Sequence, residues 1–261
     1  MSDIDNFVVL AGTILNKAWS ELNNYSNFNL ARMYQADLII DLLRECPNHI
    51  IKYLIDNSID LEAYDRENWK LIHYVMAYSN DNIAEYVINK GVDIESKTSN
   101  DIVPLHLAVK NRSPKIVAKL LERNVDKEAQ DIQGWRPIHF AIRYSDPIMF
   151  KLLMNNNVDL EAQTKDKWRP IHIALRYSPY IVASLLIKKG VDLEAQDDQG
   201  WRSIHYAVRY TDDGLINKLI DLGVDTNAKI NSGHTAHDIA LVHSSINTIN
   251  RLRNRSPYKR D

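Results

Sequence analysis

Several features that would assign this chain to a class at once are missing. Its single cysteine, Cys46, cannot form an internal disulfide, which fits a reducing compartment and a small core side chain. The most apolar early stretch, FVVLAGTIL at 7–15, falls short of the roughly 20 residues needed to span a bilayer. Asp3 and Asp5 stand where a secretory signal carries positive charge. Neither sign of charge dominates: 32 Lys and Arg face 34 Asp and Glu, and the net charge of −2 gives no global pull toward nucleic acid or an anionic membrane. No phosphate-binding loop, H-E-x-x-H helix or nucleophile elbow occurs. The expectation is a soluble, unexported, cytoplasmic chain that is not an enzyme and carries no cofactor and no resident metal.

What is present is an ordinary globular composition, 45% hydrophobic and 25% charged over 261 residues, written in a strict period. His73, His106, His139, His172 and His205 fall at intervals of 33, with Asp238 on the next step and Ile40 on the step before. Around them read WKLIHYVM, IVPLHLAV, WRPIHFAI, WRPIHIAL, WRSIHYAV and HTAHDIAL. Eighteen residues after each histidine comes a second signature: GVDIE, NVDKE, NVDLE, GVDLE and GVDTN.

This register resembles the ankyrin repeat, and its Asn-, Ile- and Tyr-rich wording is similar to ankyrin arrays of giant viruses and protists. The resemblance covers about residues 36–250. It implies an all-α solenoid of helix-turn-helix units with β-turn hairpins, in which hairpins and first helices line a concave side. The expected divisions are an N-terminal helical cap over 1–35, a degenerate repeat over 36–65 and five repeats over 66–230. A C-terminal capping repeat over 231–250 and a solvated basic tail over 251–261 complete the chain, which is expected to be monomeric. The tail is also a candidate for nuclear entry.

Local chemistry agrees with paired helices. Pro104, Pro137 and Pro170 sit where a first helix begins, a position at which the missing N–H costs nothing. Ser113-Pro114, Asp146-Pro147 and Ser178-Pro179 pair a capping side chain with a proline to open the second helix. Gly91, Asn124, Asn157, Gly190 and Gly223 suit the left-handed residue that ends it.

Two departures from the family pattern set the candidate residues. The Thr that caps the first helix becomes Lys70, Arg136, Arg169 and Arg202, and the loop Asn becomes Glu62, Glu95, Glu128, Glu161 and Glu194. Basic residue and Glu occur together in four units, break at Glu95/Val103, and are both absent where Asn227 precedes Thr235. A structural ladder of Glu with Lys or Arg along the hairpins is expected. The phased histidines are expected to be structural as well, since one per unit they cannot share a metal ion. His234, His237 and His243 lack an acidic or Cys ligand at suitable spacing.

The second departure is a set of repeated words. Trp69, Trp135, Trp168 and Trp201 precede the basic residues, while Arg143, Arg176 and Arg209 with Tyr144, Tyr177 and Tyr210 end the first helices; Tyr78 extends the tyrosine series. Stacked units would align these into rows, and Trp, Tyr and Arg are the residues most enriched at binding hot spots. The expected function is a scaffold that binds another protein, with an acidic or mixed extended surface, through concave Trp/Arg/Tyr rows. The alternatives are a structural spacer or adaptor arm in which the rows only stiffen the array, and a single-stranded nucleic-acid binder.

Overall fold

Proline or a short polar residue opens most helices here, and glycine or asparagine closes half of them. A computed structural model describes residue 43 and residues 47–57, 60–62, 64–144, 146–177 and 180–255. The cap expected over 1–35, the Ile40 position, Cys46, Ser178-Pro179 and residues 256–261 of the tail lie outside the described residues. Among the described residues there are thirteen α-helices and two isolated β-bridges, Tyr64 with Lys70 and Lys229 with Thr235. None of these helices is long and apolar enough to cross a membrane. The fold class is an all-α repeat solenoid.

The chain divides into two units, Met1–Asp126 and Lys127–Asp261. The first contains α1 (Asn48–Asn57), α2 (Leu71–Tyr78), α3 (Asp81–Asn89), α4 (Pro104–Lys110) and α5 (Pro114–Glu122). Helix α2 packs on α3 and α4, α4 on α5, and α3 on both α1 and α5, so first and second helices form two layers. The second contains α6 (Pro137–Arg143), α7 (Pro147–Asn155), α8 (Pro170–Tyr177), α9 (Ile181–Lys188), α10 (Ser203–Tyr210), α11 (Asp213–Asp221), α12 (Ala236–His243) and α13 (Ile246–Arg255). Its first helices α6, α8, α10 and α12 stack in sequence, and each packs on the second helix that follows it. Between the layers lie fully buried side chains such as Ile138, Ile142, Met149, Phe150 and Leu153. Each contributes about 1.5–3 kcal/mol of burial, which a single helix pair could not obtain alone.

The predicted caps divide. Asp146 accepts from the N–H groups of Ile148 and Met149 at 2.9 and 3.1 Å. Ser113 makes no such cap and instead donates its hydroxyl to Asp81 of the preceding second helix. Ser245 likewise donates to Asp213 while accepting from the Thr248 N–H at 3.3 Å, so it joins repeats and caps its own helix at once. Gly91, Asn124, Asn157, Gly190 and Gly223 all have positive φ, between 56° and 83°. A second set of left-handed residues marks the hairpins: Asn68, Asp101, Gly134, Lys167, Gly200 and Gly233.

The basic tail is corrected at its start. Helix α13 runs through the expected boundary to Arg255, because Leu252 is buried and Arg251 pairs with Asp221 of α11. That segment is packed structure, and its first arginine is already engaged.

Candidate functional site

The basic residues that replace the cap Thr point across to the preceding loop. Arg136 Nη1 lies 2.7 Å from Glu128 and 3.3 Å from Asp159, Arg169 lies 2.7 Å from Glu161 and 3.2 Å from Asp192, and Arg202 lies 2.7 Å from Glu194 and 3.6 Å from Asp225. Lys70 repeats this with Glu62 at 2.7 Å and Asp93 at 3.6 Å. Each glutamate uses its other oxygen for the next repeat, accepting from the backbone N–H of Asp159, Asp192 and Asp225 at 2.7–2.8 Å. Glu95, which faces Val103 and so lacks the basic partner, still accepts from Asp126 N–H at 2.8 Å. The glutamate therefore has a backbone role independent of the ion pair, which accounts for the broken pairing in that unit. Gln196, with its amide oxygen turned to Arg202, accepts from Nε and Nη2 at 3.1 and 3.0 Å.

The histidine three residues on closes the other half of the capping box, taking the N–H of the cap-position residue itself rather than the helix N–H groups a Thr hydroxyl would take. Nδ1 of His73, His106, His139, His172 and His205 accepts the N–H of the residue at the cap position, at 3.0–3.3 Å. Nε2 of His73, His139, His172 and His205 donates to a carbonyl 23 residues on, of Ser96, Ala162, Ala195 and Ala228 respectively, at 2.9–3.1 Å. Those partners fix the neutral tautomer with hydrogen on Nε2. Burial lowers the pKa of His73 and His205 and takes His172 down to about 4. In the last repeat Thr235 caps in the ordinary way, and Asp238 accepts from Thr235 N–H at 2.8 Å.

The Trp, Arg and Tyr residues come together in the second unit on the side where first helices end. Arg143 lies over the Tyr177 ring at 3.7 Å. Arg176 lies 5.1 Å from Tyr177, 5.3 Å from Tyr210 and 5.1 Å from Trp168; Arg209 lies 5.4 Å from Tyr210 and 5.6 Å from Trp201. Guanidinium and ring thus alternate from one repeat to the next. Trp135 packs edge-on against Phe140, which reaches Tyr144 at 6.4 Å. The rows remain accessible: Arg143, Arg209 and Tyr210 are exposed, and Trp135, Tyr144, Trp168, Arg176, Tyr177 and Trp201 are half-buried. In the first unit Trp69 stacks on Tyr78 at 6.5 Å, with Tyr78 exposed, and Ala77 stands where an arginine would precede it.

A cleft of about 430 Å³ opens on this face, lined by Trp168, Arg176, Trp201, Tyr206, Arg209 and Tyr210, with Asp166, Asp197 and Asp198 on its hairpin side. Tyr206 and Asp197 escaped the sequence reading. Asp197 Oδ1 accepts from the N–H groups of Gln199 and Trp201, and Oδ2 takes the Tyr206 hydroxyl at 2.6 Å. Burial and that carboxylate push the Tyr206 hydroxyl pKa upward. The Tyr206 ring, 5.8 Å from Trp168 and 5.2 Å from Trp201, is the wall that holds the two indoles apart. The signal for it was present, since Asp65 and Tyr74 form the same pair nine residues apart, a spacing that belongs to no helix period. Among the described residues, no three His, Cys, Asp or Glu side chains gather as a metal site. The family model described as ankyrin repeats (3 copies) matches residues 105–197 and 138–231. No curated protein matches the chain.

Proposed function

We propose that this ankyrin repeat protein binds another protein, without chemistry of its own, through the Trp/Arg/Tyr rows of residues 135–210. Ankyrin repeats generally mediate protein–protein interaction, and the family is typically non-enzymatic. The observation that carries the choice of surface is the cleft between Trp168 and Trp201. Large aromatic area and guanidinium groups converge there while staying open to solvent. Such residues give much apolar contact for little loss of side-chain freedom. Photo-crosslinking amino acids placed in turn at Tyr210 and at Leu222, which is 56% exposed beside α11, test this in host cells. A partner crosslinked from Tyr210 and absent from Leu222 supports the rows; equal yield from both positions counts against them.

The stacking of Arg143 on Tyr177 favours a second reading, in which the rows stiffen the array as a spacer or adaptor arm. The two separate by which property the rows control, capture of a partner or melting temperature.

A further inference from the structure

Resting on that reading, we infer that the arginine row selects a guest in the polyproline II conformation with a carboxylate at every third residue. Arg143, Arg176 and Arg209 end successive first helices α6, α8 and α10, so their guanidiniums recur at the helix-to-helix distance of about 8–10 Å. Rings occupy their faces, as in Arg176 among Trp168, Tyr177 and Tyr210. A ring on the face leaves the in-plane N–H fork clear, and that fork holds a carboxylate through two parallel hydrogen bonds. Among the described residues no carboxylate lies within ion-pair reach of any of the three, unlike Arg136, Arg169 and Arg202 seven residues earlier in the same repeats.

The spacing selects the backbone of the guest. A polyproline II segment turns once per three residues and rises about 3.1 Å per residue, so positions i, i+3 and i+6 share one face about 9.3 Å apart. On one face of a β-strand side chains recur roughly every 6.6 Å, too short for one arginine and the next. An α-helix brings side chains back to one face at about 5.4 Å per turn, again short of the step from one arginine to the next. The walls agree, because polyproline II segments dock in grooves lined by aromatic rings, here Trp168, Trp201 and Tyr210. The opposite rim fixes what separates the acids. Asp166 stands there beside Asp198, which is paired with Lys167 at 2.8 Å, and the Asp166 carboxylate disfavours further carboxylates at the two intervening positions. Proline suits both positions.

Fluorescence anisotropy with two twelve-residue peptides of one composition tests this on the full chain. One peptide repeats Glu-Pro-Pro, and the other gathers its glutamates at one end followed by the prolines. The periodic peptide is expected to bind about tenfold tighter. Arg143→Gln, Arg176→Gln and Arg209→Gln together should abolish the preference, while Lys at the same positions, keeping charge without the fork, should reduce it. Each variant is compared where its circular dichroism is native. Equal binding of the two peptides, both weakened by Trp168→Ala with Trp201→Ala, overturns the spacing and leaves the rows as a binding face. Equal binding that neither set of changes alters overturns both. Tighter binding of a twelve-nucleotide oligothymidine than of the periodic peptide also overturns the inference.

Discussion

Glu161 shows how one side chain joins two repeats. Its Oε2 takes Arg169 at 2.7 Å and its Oε1 takes Asp192 N–H at 2.7 Å. The pairing with a basic residue was legible, because Glu and Arg or Lys vary together eight residues apart. The backbone bond was not, since an N–H has no letter of its own. Arg169 is 19% exposed and Glu161 39%, so the ion pair itself is worth about 1 kcal/mol or less. Glu161→Ala also strips the Asp192 N–H, and it should cost about 1–2 kcal/mol in urea unfolding, more than Arg169→Ala. Glu95→Ala, with no ion pair to lose, should still cost about 0.5–1.5 kcal/mol. A cycle on Glu161 and Arg169 without coupling, or a neutral Glu95→Ala, contradicts this division of roles.

At the scale of elements, prolines, phased histidines and closing Gly or Asn made the helix pairs readable, while the joints between hairpins did not show. Gly200 and Gly223 separate the two kinds of information. Both have positive φ, near 78° and 83°. Around Gly223 a Cβ meets nothing within 4 Å, but at Gly200 it would stand 2.7 Å from Asn231 Oδ1 and 3.0 Å from Asn231 N. That closeness arises because Asn231 N–H donates to Gln199 O at 2.9 Å, one hairpin tip bonded to the next. Gly223→Ala should therefore cost about 1–2 kcal/mol from backbone conformation alone. Gly200→Ala should cost measurably more, by forcing the tips apart. Thermal melts of the two variants in parallel check the order, and an equal loss would mean that the tip contact yields freely. The start of the tail was misread for a related reason: RLRNR is basic by composition, but Leu252 faces the core of the closing repeat.

For the whole molecule, periodic burial turns the histidines into a collective response to acid. His172 has a folded pKa of about 4 against an ordinary 6.5, and His73 and His205 are lowered in the same direction by burial. With the folded value below the unfolded one, their contribution is complete above about pH 6.5. It is lost as pH falls, since the unfolded chain binds protons first. Each unit of separation is worth about 1.4 kcal/mol per histidine. Carboxylates such as Glu85, lowered to about 2 by Lys115 and Lys119, respond at lower pH. The urea midpoint should stay level from pH 8.5 to 7 and fall steeply between pH 6.5 and 4.5. A flat profile through that window would contradict neutral, doubly bonded histidines.

The same repetition that buries the phased histidines also brings the Arg and Tyr residues of successive repeats together, and whether those rows hold a guest is the central claim. The most direct measurement replaces Arg143, Arg176, Arg209, Tyr144, Tyr177 and Tyr210 together by Ala. The melting curve and the affinity for a partner identified by crosslinking are then recorded on the same sample. The account predicts a chain that still folds at 25 °C, with a lower melting temperature from lost stacking, and an affinity reduced at least about a hundredfold. A folded variant that binds its partner as tightly as the natural chain would contradict it.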